Sequence, residues 1–257
     1  MKITQDFLLM VLLSIITSIL SGCQNKEKIR HADIVIYGAT SAGIAAAIQT
    51  SRLGKSVILI EPGNRLGGLT TGGLGQTDIG NKQIVGGISL EFYQNIKKYY
   101  DDSDNWIWQK KSEYRDGGQT RTAQGENAMW TFEPSAALKV YEEMLKGQDI
   151  QIVYEQRLNR ANGVSKAKGS ISTITMESGQ TYSGKVFIDA TYEGDLMASA
   201  GVSYTLGRES NAQYGETLNG IQPNDYGKTL LGNISNNSIH HNFIDGVDPY
   251  LVKVQLQ

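Results

Sequence analysis

The stretch "DIVIYGATSAGIAAAIQTSRLGKSVILIE", residues 33–61, predicts the fold class. Continuous apolar runs predict buried strands over Ala32–Tyr37 and Ser56–Ile60. Between them, small residues followed by Gly54 predict a helix over Ala42–Leu53 that ends at a glycine cap. Strand, helix and strand in roughly thirty residues form a βαβ unit. The stretch therefore predicts an α/β domain with a parallel sheet.

The turn "GATSAG", residues 38–43, joins the first strand to the helix. A helix start offers unpaired N–H groups and the positive end of the helix dipole, and both favour a phosphate group. The nucleotide-binding fingerprint G-x-G-x-x-G has glycine at three positions. Gly38 and Gly43 stand at the first and third, and Thr40 replaces the second. Ser41 adds a hydroxyl group in the first helical turn, so the turn predicts a pyrophosphate site, although two glycines alone are a weak signal.

Glu61 supplies a second part of the same pattern. In dinucleotide-binding folds, an acidic residue at the end of the second strand, roughly 20 residues after the turn, binds ribose hydroxyls. Glu61 ends the run "SVILIE" at about this distance from Gly43. No arginine stands directly beside it, which disfavours a ribose 2′-phosphate. We therefore expect Glu61 to bind a ribose.

A second glycine-rich stretch, "GNRLGGLTTGGLGQTDIGNKQIVGG", covers Gly63–Gly87. It is too rich in glycine for the interior of a helix or strand. Glycine lets the backbone approach a flat, extended cofactor without side-chain clashes, and the pairs Gly67–Gly68 and Gly72–Gly73 are spaced along the stretch. A simple NAD-binding module needs no such stretch directly after its second strand, so the pattern favours FAD. A flexible surface loop is the alternative.

The rest of the chain predicts further elements of the domain. Helices are expected over Ile88–Tyr100 and Pro134–Lys146, a strand over Ile150–Tyr154, and a β-hairpin over Ser170–Met176 and Thr181–Ile188. Residues from about 101 to 131 show no clear period, and we interpret them as an excursion from the core. The tryptophans of this excursion, Trp106, Trp108 and Trp130, are expected to pack in a small core.

The N-terminus has the pattern of a bacterial lipoprotein signal peptide. The apolar run Phe7–Leu20 is shorter than the roughly 20 residues of a membrane span and suits a signal peptide. "LSGC" places small residues directly before Cys23, as in a lipobox. We expect residues 1–22 to be removed, residues 23–31 to form a tether, and a lipid on Cys23 to anchor the protein to the periplasmic or surface face of the bacterial cell envelope. A secretory signal with an incidental cysteine is the alternative.

Composition excludes several other classes of protein. The formal net charge of −2 and the pI of about 6.0 give no indication of a nucleic-acid partner. Cys23 is the only cysteine, which excludes disulfides and cysteine-based metal sites. Neither the adjacent His240 and His241 nor the run "DDSDN" at 101–105 has the pattern of a metal site. No metal site is predicted, no serine-nucleophile motif occurs, and no catalytic acid or base stands out.

Three blocks of the sequence share one resemblance. They are "DIVIYGATSAGIAAAIQTSRLGKSVILIEPGNRLGGLTTGGLGQTD" (33–78), "TFEPSAALKVYEEML" (131–145) and "VFIDATYEGDLMASAGVSYTLGRES" (186–210). Together they resemble the FAD-dependent oxidoreductase family related to glutathione-reductase-type flavoproteins. The resemblance runs from about Asp33 to Pro249. In that family threonine is common at the second fingerprint position, so Thr40 does not count against FAD.

The resemblance implies a Rossmann-like FAD-binding domain over residues 32–257, with a parallel sheet, an antiparallel β-hairpin and an incomplete substrate lobe. It also implies hydride transfer from a small-molecule substrate to the flavin. Cofactor contacts are implied for Gly38, Thr40, Ser41, Ala42, Gly43, Glu61, Arg65, Gly67, Gly68, Ala190 and Thr191. Tyr192, Arg208 and Glu209 are further candidates for lining the flavin or substrate cavity.

Family members usually continue well beyond a "DPY" like that at residues 248–250. The resemblance therefore implies that this chain is a C-terminally truncated member.

Two other functions stay open. One is an NAD-binding dehydrogenase module, against which the cluster Gly67–Gly73 argues. The other is a non-catalytic surface lipoprotein that retains a flavin-binding fold and binds a ligand or partner.

Overall fold

The computed structural model describes residues 29–115, 117–123, 125–204 and 210–215. The chain divides into two compact units, Met1–Gly201 and Val202–Gln257. Several sequence predictions fall outside the described residues, namely the signal peptide, Cys23, most of the tether, Arg208, Glu209, His240 and His241. Among the described residues, no helix is both long enough and apolar enough to cross a membrane.

The first unit is built on a six-stranded sheet. Its strands are β1 (Arg30–Tyr37), β2 (Val57–Ile60), β3 (Ile150–Val153), β4 (Val164–Ala167), β5 (Ser170–Thr175) and β6 (Thr181–Asp189). Their order across the sheet is β3-β2-β1-β6-β5-β4. β1 is parallel to β2 and β6, and β2 is parallel to β3. β5 runs antiparallel to both of its neighbours. The carboxyl ends of β1, β2, β3 and β6 therefore lie at one edge of the sheet.

The helices complete the predicted α/β pattern. They are α1 (Ser41–Arg52), α2 (Gly68–Gly72), α3 (Gly87–Asp101), α4 (Pro134–Leu145), α5 (Asp195–Ser199) and, in the second unit, α6 (Asn211–Tyr214). α1 connects the parallel strands β1 and β2, which confirms the predicted βαβ unit. Proline stands in the first turn of α4, where its missing N–H group leaves no hydrogen bond unmade.

Both faces of the sheet are covered, which explains why β1 and β2 are continuous apolar runs. On one face, Ile36 and Leu59 join a buried cluster that includes residues of α1, α3 and α4, among them Ile96. On the other face, Ile58 packs with Ile174 of β5 and other residues of the β-hairpin. Successive side chains of β1 and β2 thus alternate between two apolar layers.

Three details differ from the sequence predictions. A short helix, α2, forms inside the glycine-rich stretch, because contacts from its neighbours override the low helix propensity of glycine. β4 was not predicted, since its exposed polar residues carry no apolar pattern. Trp130 is buried and Trp106 packs partly against the main core, as expected. The expectation for Trp108 is wrong, because it is 82% exposed.

Candidate functional site

The glycine turn follows β1, which lies between β2 on one side and β6 on the other. The strand order of the sheet reverses at this point. In open α/β sheets, ligands bind outside the carboxyl ends of the strands at such a switch point. Gly38 has a φ of +98°, which favours glycine, and a Cβ there would lie 2.8 Å from the Ala190 carbonyl carbon. A Cβ on Gly43 would overlap the Gly38 carbonyl oxygen. Both predicted fingerprint glycines are therefore required by the geometry.

Thr40 has a role of its own in the turn. Its φ of −68° is open to any residue, so this position does not require glycine. The Thr40 hydroxyl accepts a hydrogen bond from the Gly43 N–H group (3.3 Å) and donates one to the Ala190 carbonyl oxygen (2.7 Å). Thr40 is thus the N-cap of α1 and links the turn to the end of β6.

The first turn of α1 presents backbone N–H groups beside this cap. Ser41 and Ala42 precede Gly43, and a helix supplies no internal acceptor for the N–H groups of its first turn. Ala42 is exposed, so this end of the helix faces the solvent. An anion seated there would meet unpaired N–H groups and the positive end of the helix dipole. The turn therefore fits a pyrophosphate.

Glu61 lies against the same turn. One carboxylate oxygen accepts a hydrogen bond from the Ala39 N–H group (2.9 Å), and the other accepts one from the Gly63 N–H group (2.8 Å). Backbone bonds fix the position of Glu61 as well, because its N–H group donates to Val153 and its carbonyl accepts from Gln156. Each carboxylate oxygen can accept a second hydrogen bond. The side chain is therefore held in one place with capacity left for ribose hydroxyls.

A polar cleft of about 590 Å³ opens beside Glu61. Its walls come from the residues that follow β2, from the residues that follow β3 and from the β-hairpin turn: Pro62, Gly63, Asn64, Glu155, Arg157, Glu177 and Ser178. Glu155 has a positive φ of 55°, which is uncommon for glutamate, and its N–H group donates to the Gly63 carbonyl oxygen (2.8 Å). A backbone hydrogen bond thus connects the residues after β2 with those after β3 in the lining of the cleft.

We use the name glycine segment for residues 63–87. It is bound to the glycine turn, because the Gly67 N–H group donates to the Ala39 carbonyl oxygen (2.7 Å) and Gly67 forms a parallel bridge with Thr40. Gly67 has a φ of +89°. Arg65 helps to shape the segment, since its Nε donates to the Thr71 carbonyl oxygen (3.0 Å). The predicted cofactor residues of the segment therefore lie next to the turn, as the sequence pattern requires.

The end of β6 closes the other side of the turn. The Ala190 N–H group donates to the Tyr37 carbonyl oxygen (2.8 Å), and the Thr191 N–H group donates to the Asp189 carboxylate (3.0 Å). Tyr192 is 57% exposed, and its hydroxyl accepts a hydrogen bond from the Leu69 N–H group (2.8 Å). The residues after β6 thus contact both the turn and the glycine segment.

The Ser41 hydroxyl forms hydrogen bonds within the protein, whereas the sequence suggests that it adds a hydroxyl group to the pyrophosphate site. Its hydroxyl lies 2.6 Å from the Thr70 hydroxyl and also donates to the Gly67 carbonyl oxygen (3.3 Å). Burial raises the pKa of Tyr141 in α4, against a smaller lowering of that pKa by the Ser41 and Thr70 hydroxyls. Neither Thr70 nor Tyr141 was predicted as a site residue, because a tyrosine on the apolar face of a helix is interpreted as a core residue.

A second cavity, of about 260 Å³, lies between the end of α3 and the start of α4. It is lined mainly by apolar and aromatic side chains, among them Trp106, Trp108 and Phe132. Phe132 pairs with the glycine segment, because its N–H group donates to the Gly75 carbonyl oxygen (2.8 Å). Among the described residues, no three His, Cys, Asp or Glu side chains come together as a group that could hold a metal ion.

The structure brings eleven predicted cofactor residues to one edge of the sheet. They are Gly38, Thr40, Ser41, Ala42, Gly43, Glu61, Arg65, Gly67, Gly68, Ala190 and Thr191. Hydrogen bonds connect the glycine turn with Glu61, Gly67 and Ala190, whereas Arg65 bonds to Thr71 inside the glycine segment. Which of them touch a cofactor stays a prediction.

Comparison with known proteins gives the family. The sequence model of the family described as "FAD dependent oxidoreductase" matches residues 33–248, which is most of the chain. A comparison with curated protein sequences found no match.

Several solved structures are similar at low identity. L-proline dehydrogenase from P. horikoshii has 12% identity and a TM-score of 0.44, over 71% of this chain and 59% of that chain. L-amino acid deaminase from Proteus vulgaris, in a form lacking its specific insertion sequence, has 17% identity and a TM-score of 0.45, over 72% of this chain and 59% of that chain. The chain thus spans about three-fifths of the length of these proteins. Similarity at this level does not carry a substrate from one protein to another.

Proposed function

The chain belongs to the FAD-dependent oxidoreductase family, and from that premise we propose that it binds FAD at the glycine turn and takes part in oxidation of a small-molecule substrate. The observation that carries the proposal is the convergence of Glu61, the glycine turn and the glycine segment at one edge of the sheet. An acid for the ribose and N–H groups for the pyrophosphate stand side by side, as a dinucleotide requires.

Each part of the site has a separate task in this proposal. The N–H groups of Ser41 and Ala42 bind the pyrophosphate, and the exclusion of side chains at Gly38 and Gly43 brings the helix start close to it. Glu61 accepts hydrogen bonds from the adenosine ribose. The cleft beside Glu61 receives the adenine, and residues after β3 form part of its lining. Arg65, Gly67, Gly68, Ala190 and Thr191 line the cofactor beyond the pyrophosphate.

Bound FAD supplies the redox chemistry, since the flavin accepts a hydride from the substrate. The protein binds and orients the cofactor and shields it from water. Leu69 is an exposed residue of the glycine segment, and the exposed ring of Tyr192 lies beside it; together they extend an apolar surface for the rest of the cofactor. We assign no catalytic acid or base to this chain.

Identification of the bound flavin tests the proposal. Full-length protein is purified, denatured by heat, and the released cofactor is identified by chromatography against FAD, FMN and NAD standards. We expect FAD in the released fraction, or FAD uptake when the protein is purified without it. Release of NAD would contradict the proposal and favour an NAD-binding dehydrogenase module. Failure to take up any flavin would contradict it and favour a non-catalytic role.

We also propose that the protein is held at the bacterial cell envelope by a lipid on Cys23. The small residues before Cys23 and the apolar run Phe7–Leu20 support this proposal. Radiolabelled palmitate should label the wild-type protein in growing bacteria and leave Cys23→Ser unlabelled. Equal labelling of both proteins, or of neither, would contradict lipidation at this residue.

A further inference from the structure

The second cavity, of about 260 Å³, is lined by residues that the proposed cofactor site does not use. We call it the aromatic cavity, because its lining includes Tyr100, Trp106, Trp108, Tyr114 and Phe132. All of its lining residues belong to the described part of the chain, and among them Glu133 alone carries a charged side chain. A ligand of this cavity must therefore suit aromatic surfaces and one negative charge.

The rings of the aromatic cavity are tilted against one another and not stacked. The ring centroids of Tyr100 and Trp106 are 5.0 Å apart at 55°, and those of Trp106 and Tyr114 are 5.2 Å apart at 56°. The Trp106 Nε1 group donates to the Tyr100 carbonyl oxygen (2.8 Å), which fixes the indole. Because tilted rings do not cover each other's faces, π faces stay available to a ligand. The face of an aromatic ring attracts a cation.

Glu133 supplies a fixed negative charge beside these rings. Its backbone N–H group donates to the Tyr100 hydroxyl (3.0 Å), and that hydroxyl donates to the Glu133 Oε2 atom (3.0 Å). Burial raises the pKa of Tyr100, so the hydroxyl keeps the proton that it donates. Each carboxylate oxygen can accept two hydrogen bonds. The carboxylate is thus held in one place and keeps the capacity to accept hydrogen bonds from a ligand.

Two neighbouring residues of the lining expose large apolar side chains. Trp108 is 82% exposed and Ile107 is 69% exposed. Both line the aromatic cavity, so they form a continuous apolar patch with it. An exposed patch of this kind beside a cavity is typical of a ligand-binding site. A bound ligand would cover both side chains.

We propose that the aromatic cavity binds an organic ammonium ion, whose cationic group lies against the rings of Trp106 and Trp108 and pairs with the Glu133 carboxylate. The charge of Glu133 disfavours carboxylate and phosphate ligands. A strongly hydrated inorganic cation gains little from aromatic rings, whereas an ammonium ion with apolar groups gains from the rings and from the carboxylate. None of the eleven predicted cofactor residues lines the cavity, so the proposal does not depend on the proposed FAD site.

The test is calorimetric titration of the full-length protein with two small probes of nearly equal shape. 2-Phenylethylammonium carries an aromatic ring and a cationic group, and 2-phenylethanol replaces the cationic group with a neutral hydroxyl. We expect the ammonium ion to bind at least about tenfold more tightly, because its hydrogen bonds to the carboxylate are charge-assisted. Equal affinities, or no binding of the ammonium ion, would overturn the proposal.

Glu133→Gln tests the carboxylate. Glutamine still offers an oxygen to the Tyr100 hydroxyl but carries no charge. This variant should weaken binding of 2-phenylethylammonium by about tenfold and change the affinity for 2-phenylethanol little. Glu143→Gln is the matched control, since Glu143 lies in the same helix region with a side chain that is 75% exposed, and it should bind both probes within about twofold of wild type. Equal effects of the two substitutions would overturn the proposal.

Trp108 provides a second pair of variants, which decides the matter should Glu133→Gln fail to fold. Because Trp108 is exposed, its substitution leaves the core intact. Trp108→Leu removes the aromatic face and should weaken binding of the ammonium ion by about threefold. Trp108→Phe keeps an aromatic face and should stay within about twofold of wild type. The same affinity in both variants would overturn the proposed contact between the cation and this ring.

Discussion

Replacement of Thr40 by glycine tests whether threonine at the second fingerprint position weakens the glycine turn or stabilises it. Thr40→Gly restores the sequence pattern G-x-G-x-x-G. It also removes the hydrogen bond from the Thr40 hydroxyl to the Ala190 carbonyl oxygen and the side-chain cap of α1. The structure therefore predicts that a better match to the fingerprint gives a less stable protein.

The magnitude follows from three contributions. Loss of the 2.7 Å bond to Ala190, in a region where Thr40 is only 8% exposed, costs about 1 kcal/mol. Glycine keeps part of the capping preference, so the lost cap adds only about 0.3 kcal/mol. The greater backbone freedom of glycine in the unfolded chain adds about 0.5 kcal/mol. The free energy of unfolding should thus fall by about 2 kcal/mol.

Urea denaturation of the cofactor-free protein, followed by circular dichroism, measures this change. With an m value of about 2 kcal/mol/M, the midpoint should shift by about 1 M urea. Thr40→Ser is the control, because serine keeps the hydroxyl and should stay within about 0.5 kcal/mol of wild type. A Thr40→Gly protein that is as stable as wild type and binds FAD more tightly would contradict a structural role for the Thr40 hydroxyl.

Three further predictions address the turn, the acid and the sheet. Gly43→Ala places a Cβ against the Gly38 carbonyl oxygen and should lower the free energy of unfolding by about 3 kcal/mol or prevent folding. Gly80→Ala is the control, because the space around Gly80 is open, and it should change the urea midpoint little. Equal effects of the two substitutions would contradict the close approach at Gly43. Glu61→Ala should raise the FAD dissociation constant at least about tenfold by loss of charge-assisted hydrogen bonds, while the exposed Glu143→Ala leaves it unchanged in calorimetry. Hydrogen bonds from Lys185 and Ser56 lower the pKa of Asp33 to about 2, so Asp33 stabilises the fold fully above its unfolded pKa of about 3.9. The decrease in the free energy of unfolding caused by Asp33→Asn, measured by urea denaturation, should therefore be largest near pH 6 and become smaller as the pH falls through 4 towards 2. A decrease that does not depend on pH would argue against the ion pair.

Local patterns predicted the sheet and the main helices, because their signals are confined to neighbouring residues. The apolar run of β2, the small residues of α1 and the proline in the first turn of α4 each determine an element without help from the rest of the chain. β4 has no such pattern, and α2 depends on contacts with Tyr192 and other distant residues. Elements held by tertiary contacts are the ones that local sequence cannot reveal.

The same division holds for the candidate site. Gly38, Gly43 and Glu61 were found from spacing, since the chemistry of a dinucleotide fixes where glycine and acid must stand. The link from Thr40 to Ala190 spans 150 residues, and the Tyr141 ring of α4 lies in close contact with Gly67 of the glycine segment. No spacing rule connects such residues. Sequence therefore identifies the groups that face the ligand better than the groups that hold them in place.

Calorimetric titration of the cofactor-free, full-length protein with FAD tests whether Glu61, the glycine turn and the glycine segment form one FAD site. NAD titrated under the same conditions is the comparison ligand. We predict that one FAD binds per chain, that Glu61→Ala weakens this binding, and that NAD binds more weakly than FAD. No binding of FAD, or binding that Glu61→Ala leaves unchanged, would contradict it.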